Sequence, residues 1–421
     1  MKTNKICDVI YVKGKLETSS PILIGNGDGD FTDIDFVRDG NGEIFIPATT
    51  IVGKIRNHLS EFLDNVEIFF GDRDQEKQGV FKFYDSFISS NEKIKIREGV
   101  ALDYETKTSL ENSKFDYEIC ETGTFFDFRI EVVIREEDKA RENEIENILY
   151  IILSNLKEGN IYFGAKTNRG LGKTILRDLV IKKIELQKDL NEWINFRWDN
   201  LNPNFDLDKL NHKLFSIERK EEKIEVDFEI PYSILIREYK IEEDVDASHI
   251  QCNGKSIIPG TSWAGFFRSI CFNIFNDLQK NTDILLEMFG FVNEKSKESK
   301  SSKIVFDESI IEGNKLIPTT RVRIDRFTGG NIESALFSNE PSFNGKVKLN
   351  ILIKEKDENK RKGYLDLIML SLREIQNGFY AIGGETNIGR GLLKIEKVTL
   401  NKNEITVEDY GLAGYKNLMK L

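Results

Sequence analysis

The sequence predicts an α+β protein in which one fold occurs twice in tandem. The chain has 421 residues, which suits two domains of about 150–200 residues each. Four short motifs occur twice, in the same order and at a nearly constant spacing. Each half also follows one pattern of strand, helix, strands, helix and strand. This pattern is typical of a ferredoxin-like, or RRM-like, domain.

The repeated motifs define the two copies. Each motif and its second occurrence are IPATTIVGKIR at 46–56 and IPGTSWAGFFR at 258–268, FFG at 69–71 and MFG at 288–290, VALDYET at 100–106 and VRIDRFT at 322–328, and GAKTNRGLG at 164–172 and GGETNIGRG at 383–391. Each copy is far longer than a solenoid repeat, so the copies are separate domains. We expect domains at 1–186 and 221–421, joined by a polar connector at 187–220.

The elements of each copy follow from hydrophobic periodicity. A helix should follow each Ile-Pro pair, with Thr49 or Thr261 as its N-cap. The other predicted elements, first copy before second, are strands at 9–12 and 224–228, helices at about 142–157 and 364–376, and strands at 174–176 and 393–395.

Composition limits the possible functions. With 39% hydrophobic and 31% charged residues, the chain is expected to be globular and cytoplasmic, without a signal peptide or membrane span. The four cysteines show no CxxC spacing, which predicts free thiols and no zinc site. A net charge of −11 argues weakly against nucleic-acid binding, but binding requires only a local basic track.

The glycine-rich motif at 164–172 runs into Lys173 and Thr174 and so ends like a Walker A loop. Thr167 stands where that loop needs its first glycine, and the helix precedes the loop instead of following it. Nucleotide-triphosphate binding is therefore disfavoured. Two explanations stay open for the glycines: a cradle of backbone N–H groups for phosphate, or a tight turn into a strand.

Residues 28–35, DGDFTDID, form an acidic loop. They do not fit an EF-hand, because Asp33 and Asp39 stand where glycine and glutamate are required. Taken alone, a solvated turn is the favoured interpretation. The second copy also has acids before its Ile-Pro pair, Asp244 and Asp246, and this recurrence supports a functional interpretation.

The order of acidic loop, Ile-Pro helix, Phe-Gly pair and glycine-rich segment resembles the RAMP superfamily. Within it, the sequence is most similar to backbone subunits of type III CRISPR–Cas complexes. The closest match is RIDRFTG at 323–329, which resembles the start of the thumb β-hairpin inserted in each such domain. Ala48 departs from the glycine usual in this pattern, and Ala165 stands where the second copy has Gly384.

The resemblance implies a function for both copies. Each domain would grip a guide RNA (crRNA), and each thumb would splay a nucleotide of the bound target RNA. A loop aspartate would then cleave the target with Mg²⁺ or another divalent cation, which Asp33 could help to bind. By position, we expect Asp33 and Asp246 to be catalytic, with Asp35 and Asp244 as competitors. The residues expected to contact RNA are Thr49, Thr50, Lys54, Arg56, Lys166, Asn168, Arg169, Gly170, Thr261, Ser262, Arg268, Arg323, Arg326, Asn387 and Arg390.

Two other roles within such a complex stay open. The chain could be a scaffold that holds guide RNA and partner subunits without cleaving, or an end-capping subunit that recognises the 5′ tag of the guide. The repeated thumb segment favours a backbone subunit over a cap. One aspartate in each loop is necessary for cleavage but does not separate a nuclease from a scaffold.

Overall fold

The computed structural model describes residues 5–27, 29, 31–72, 77–91, 93–102, 108–214, 220–238, 245–293 and 298–407. The chain forms two compact units. The first unit comprises Met1–Arg97, Asp116–Thr167 and Leu171–Arg219. The second comprises Glu98–Phe115, Asn168–Gly170 and Lys220–Leu421.

The first unit is a ferredoxin-like α+β domain. Its core elements are β1 (Ile6–Thr18), α1 (Ala48–Leu59), β2 (Phe81–Phe83), β3 (Phe125–Arg135), α2 (Glu142–Lys157) and β4 (Thr174–Glu185). The strands pair antiparallel in the order β4-β1-β3-β2. Burial alternates along β3, so that one face of the sheet packs against the helices.

The second unit repeats this arrangement, which confirms the predicted fold class. Its core elements are β5 (Glu222–Glu229), α3 (Gly260–Asp277), β6 (Ile304–Phe306), β7 (Lys346–Ile353), α4 (Glu358–Gln376) and β8 (Lys394–Leu400). The strand order β6-β7-β5-β8 matches that of the first unit. Trp263 and Phe267 are fully buried in its core.

A long hairpin is inserted before the third core strand of each domain, as the thumb prediction requires. The first pairs Ile94–Leu102 with Ser109–Cys120, and the second pairs Thr319–Ile324 with Asn331–Glu340. The predicted motif residues 103–106 of the first hairpin lie outside the described residues. We call these elements the first and second hairpins.

Shorter elements complete the two units. The helices are Glu67–Phe70, Leu186–Ile194 and Asp283–Phe289, and the 3-10 turns are Glu136–Arg141, Thr167–Arg169, Trp198–Asn200, Leu207–Leu210 and Thr386–Ile388. The short strands are Phe45–Ile46, Gly71–Asp72, Lys77–Gln78, Ser86–Phe87, Ser233–Ile234, Arg237–Glu238, Ala247–His249, Gln251–Cys252, Lys255–Ile258, Phe291–Asn293, Glu298–Lys300, Ser309–Glu312, Lys315–Leu316, Ser342–Phe343 and Asn403–Ile405.

The Ile-Pro helices begin earlier than the sequence suggested. We predicted Thr49 and Thr261 as N-caps, but Pro47 and Pro259 occupy the cap positions. Their φ angles of −58° and −60° suit the residue that precedes a helix, and proline has no N–H to leave unpaired. The two threonines therefore lie inside the first turn.

Residues 187–214 of the segment expected to be a connector, 187–220, belong to the first unit. They cover the face of the sheet opposite the helices. The ring of Tyr11 on β1 stacks on Phe196 at 3.7 Å between centroids, and Trp198 meets it edge-on at 5.4 Å. Burial raises the pKa of Tyr11 to about 12. Among the described residues, no helix is both long enough and apolar enough to cross a membrane.

Candidate nucleic-acid interface

Asp33 is clasped to the second strand of the first hairpin. Its Oδ2 accepts a hydrogen bond from the backbone N–H of Asp116 (2.9 Å), and its own N–H donates to Asp116 Oδ1 (2.8 Å). The next residues, Ile34 and Tyr117, form a parallel β-bridge. The side chain of Asp33 is exposed. The clasp thus fixes an accessible carboxylate beside the hairpin.

Asp35, the competing candidate in the first unit, has a different environment. Its buried carboxylate accepts hydrogen bonds from the backbone N–H groups of Phe31 (3.1 Å) and Thr32 (2.9 Å) and from the Thr32 hydroxyl (2.8 Å). These bonds close the acidic loop on itself. The geometry makes Asp35 a structural residue of the loop and leaves Asp33 as the accessible acid.

Asp246 occupies the matching place in the second unit. Its N–H donates to Ser338 O, and its Oδ2 accepts from Ser338 N–H, each at 2.8 Å. The adjoining strand pairs parallel with the second hairpin, with Ala247 opposite Asn339. Asp246 is exposed, like Asp33. Its competitor Asp244 lies outside the described residues.

The glycine-rich loops are explained by close packing of the main chain. A Cβ on Gly172 would lie 1.9 Å from Phe163 O, and one on Gly391 would lie 1.9 Å from Ile382 O. The N–H of Gly172 donates to Pro21 O at 2.7 Å, so it is not available to a phosphate. Of the two explanations left open for these glycines, the tight turn fits the geometry.

Lys166 and Glu385 occupy equivalent left-handed positions in the two loops, with φ of 54° and 59°. Lys166 Nζ lies 3.6 Å from the ring centroid of Tyr117. Burial lowers the pKa of Lys166 to about 8. In the second unit, Glu385 instead accepts a hydrogen bond from Asn339 Nδ2 at 2.6 Å. Lys166 was predicted to contact RNA, and it lies half-buried against Tyr117 on the second strand of the first hairpin.

The Ile-Pro helices α1 and α3 present polar faces to solvent. Thr49 and Thr261 are exposed, whereas Thr50, Lys54, Arg56, Ser262 and Arg268 are half-buried. Arg56 forms an ion pair with Glu67. Gly53 and Gly265 lie on the exposed faces, and a Cβ on either would meet no heavy atom within 4 Å in the described chain. The fold itself therefore does not require glycine at these two sites.

The tip of the second hairpin is a turn held by hydrogen bonds to Asp325. Its Oδ1 accepts hydrogen bonds from the N–H groups of Phe327 (3.0 Å) and Thr328 (2.8 Å) and from the Thr328 hydroxyl (3.0 Å). These three bonds, the Thr328 N–H first, lower the pKa of Asp325. Phe327 is 97% exposed, and Arg323 and the adjacent Arg326 are exposed as well. The turn therefore displays an aromatic ring and two cations.

Several other predicted RNA contacts are engaged within the second unit. Asn168 Nδ2 donates to Ser302 O and Arg169 Nη2 to Phe289 O, each at 3.1 Å, and Gly170 is buried. Asn387 is exposed.

Arg390 is buried and does not fit a role in contacting RNA. Its nitrogens donate to Glu385 (2.7 Å), Ser233 (3.0 Å) and Thr319 (3.2 Å). The guanidinium therefore joins the glycine loop to the base of the second hairpin.

The Asp33 clasp fits a magnesium ion better than the Asp246 clasp. In the Asp33–Asp116 pair, one oxygen of each carboxylate accepts a hydrogen bond from the backbone N–H of the other residue. The second oxygen of each carboxylate accepts no hydrogen bond within the described chain. Mg²⁺ is usually held by one or two carboxylates together with substrate phosphates and water. Within the described ranges, no group of three or more His, Cys, Asp or Glu residues could hold a metal alone. Substrate would therefore have to complete the site.

Comparison with known proteins agrees with the tandem fold. The family model of the RAMP superfamily matches residues 15–175 and 227–394, one stretch in each copy of the repeat and together well over half of the chain. No curated protein matches the chain.

Proposed function

Because the chain belongs to the RAMP superfamily, we propose that it is a guide-RNA-binding backbone subunit of a type III CRISPR RNA-targeting complex. Membership in this superfamily supports an RNA-binding role associated with CRISPR systems. The proposal adds that the subunit cleaves bound target RNA through Asp33, Asp246 or both, with a divalent cation. Its partners are guide RNA, target RNA and other effector subunits.

The matching clasps of Asp33 and Asp246 carry the proposal. In two loops with different sequences, an exposed aspartate accepts a hydrogen bond at Oδ2 from a backbone N–H on the second strand of a hairpin, and its own N–H donates back to the same hairpin residue. A solvated turn would not need this geometry twice. The clasp couples the carboxylate to the hairpin, so a nucleotide displaced by the hairpin would be presented to that carboxylate.

The exposed glycines of α1 and α3 support binding of an extended partner. Glycine inside a helix costs about 0.5–1 kcal/mol relative to alanine. Gly53 and Gly265 bear this cost although a Cβ would meet no neighbour in the described chain. Close approach of an RNA backbone to the helix surface explains both glycines, because a side chain would keep the backbone away.

The proposed chemistry is attack by a 2′-hydroxyl on the adjacent phosphorus, which leaves a cyclic phosphate and a free 5′-hydroxyl. A-form RNA does not hold these atoms in line, but a splayed nucleotide can. Asp33 accepts a hydrogen bond from the hydroxyl and orients it. Asp33 and Asp116 are the residues that would hold Mg²⁺, which when bound offsets the phosphate charge.

The test uses the complex purified with its guide RNA. Target cleavage is mapped with Mg²⁺ or EDTA for wild type, Asp33→Asn, Asp246→Asn and the double variant. Asparagine keeps the acceptor of the clasp but removes the charge. We expect each single variant to lose one cut, with its rate reduced about 100-fold or more. Guide binding should not change.

Two outcomes would overturn parts of the proposal. Unchanged cleavage in the double variant would exclude both aspartates. A wild-type complex that binds guide and target but never cuts would make the chain a scaffold, the main alternative. The Asp246 clasp has Ser338 in place of a second carboxylate. Of the two predicted cuts, the one at Asp246 is therefore the less well supported.

A further inference from the structure

Three arginines of the second unit converge on one carboxylate. Glu385 Oε2 accepts hydrogen bonds from Arg390 Nε (2.7 Å) and Arg321 Nη1 (3.0 Å). Arg237 Nη2 lies 3.5 Å from Oε1, which also accepts from Asn339 Nδ2 (2.6 Å). Burial disfavours the charged carboxylate, yet the arginines outweigh it and lower the pKa of Glu385. We call these four charged residues the arginine cluster.

The arginine cluster is not a requirement of the fold. Arg237 pairs with His249 as Gly25 pairs with Phe36 in the first unit, so glycine stands at the matching position. The glycine loops match Arg390 to Leu171 and Glu385 to Lys166 in the same way. The first unit therefore builds the same loop without the counterparts of Arg237, Arg390 and Glu385.

The charges of the cluster are not balanced internally. One carboxylate faces three guanidiniums, and like charges that are brought together repel unless an anion offsets them. Arg390, with its side chain 4% exposed, already ties the loop to the hairpin base. The side chains of Arg237 and Arg321 are 45% and 40% exposed. Both side chains are therefore partly open to solvent, where a ligand can approach.

The cluster adjoins the Asp246 clasp. Asn339, which donates to Glu385, directly follows Ser338, which pairs with Asp246. Arg237 pairs across the same small sheet with His249, three residues after Asp246. An anion at Arg237 and Arg321 would therefore lie on the same sheet as the clasp.

We infer that Arg237 and Arg321 form a phosphodiester-binding site, held in place by Glu385, that fixes the RNA backbone beside Asp246. A guanidinium is planar, stays charged and can donate two parallel hydrogen bonds to phosphate oxygens. The two arginines therefore suit a phosphodiester better than two lysines would. The inference rests on the proposed function for its source of phosphate, RNA. It assigns the phosphodiester-binding site to the second unit.

The test measures RNA binding by the full chain as a function of salt. Two labelled single-stranded RNAs of unrelated sequence are titrated with wild type and with Arg237→Gln/Arg321→Gln. We expect roughly tenfold weaker binding to both RNAs, since phosphate contacts carry no sequence information. The slope of log affinity against log salt should become shallower by about 0.7 per lost contact, or about 1.4 for the pair.

A charge-matched control separates the site from general electrostatics. Lys346→Gln/Lys397→Gln removes the same charge from the sheet of the second unit, where both lysines are ion-paired and exposed. Equal losses in the control and test variants would overturn the inference, and so would wild-type affinity in the test variant. If the test pair lowers stability, Arg237→Gln alone decides, because its contact with Glu385 is longest. Absence of RNA binding by wild type would instead reject the proposed function itself.

Discussion

In the first unit the left-handed residue of the glycine loop is Lys166, whereas the matching residue of the second unit is Glu385. Both have the same backbone conformation, and both contact the residue that follows the clasp on the hairpin, Tyr117 or Asn339. The charges are nevertheless opposite. The fold thus conserves main-chain hydrogen bonds and leaves the side chains beside the two aspartates free to differ.

The open faces of the two sheets differ in a similar way. In the first unit the aromatic residues of segment 187–214 cover Val9, Tyr11 and Ile184. The second unit instead carries ion pairs on the outward positions of its strands, which are Lys348–Glu225, Lys346–Glu396 and Lys394–Glu229. These exposed pairs contribute little to stability. A buried stack and a solvated surface therefore occupy the same face of one fold.

The largest expected effect tests whether the two loops share one backbone requirement. Gly172→Ala and Gly391→Ala should each destabilise the protein by at least about 3 kcal/mol, because the new Cβ would strike a carbonyl oxygen at 1.9 Å and φ is positive. Urea unfolding followed by circular dichroism measures the change.

Gly389→Ala is the matched control for this prediction. Gly389 also has positive φ (87°), but a Cβ there would meet nothing within 4 Å in the described chain. Its replacement should cost only about 1–2 kcal/mol, from backbone strain alone. Equal costs for Gly389 and Gly391 would show that the close approach to Ile382 O is not what fixes the loop.

The next effect sharpens the contrast between Lys166 and Glu385 through pH. Burial lowers the pKa of Lys166 to about 8, so between about pH 8 and 10.5 the unfolded chain binds more protons at this group. Its contribution to stability therefore rises with pH across this window, by on the order of 1–2 kcal/mol. The free energy of unfolding, measured for wild type and Lys166→Met, should show this rise only in wild type.

Glu385 should give a dependence of the same direction in a different, acidic pH window. Its pKa is lowered in the folded protein despite burial, through Arg390, Arg321 and Arg237. The stability it contributes is complete above its unfolded pKa and is lost as pH falls through the lower folded value. Wild type should therefore lose stability faster than Glu385→Gln below about pH 4.5. Parallel curves for the two proteins would mean that the arginine cluster does not stabilise the fold.

Much of the fold could be predicted because apolar periodicity reports burial. The helix predicted at about 142–157 has those bounds, since its apolar residues recur along a buried face. The helix predicted from 364 begins six residues earlier, at Glu358. Its first turns are polar and read as a loop. The missed signal was Asp357, whose side chain accepts from Lys360 N–H as an N-cap.

The site was less accessible to sequence reasoning, because its geometry depends on contacts between distant residues. Asp116 was not predicted, since it meets Asp33 across 83 residues and partly through its main chain, and Ser338 replaces it in the second unit. Arg390 was predicted to contact RNA because it is a basic residue of the glycine-rich segment and could line a phosphate track. Its side chain is buried through tertiary packing, which a basic residue in a loop sequence does not reveal.

The smallest expected effect concerns the glycines of the two Ile-Pro helices, which unlike those of the glycine loops are not required by packing. Gly53→Ala and Gly265→Ala should stabilise the free protein by about 0.5–1 kcal/mol each, because alanine favours a helix and its methyl group meets no neighbour in the described chain. The same changes should weaken guide-RNA binding severalfold, since the methyl group keeps the backbone of the RNA away. Unfolding and RNA titration of one preparation measure both quantities.

Asn276→Ala, on an exposed position near the end of α3, is the control and should leave RNA affinity unchanged. Gains in stability without loss of affinity would show that RNA does not approach these faces, and the glycines would then have no explanation in RNA binding.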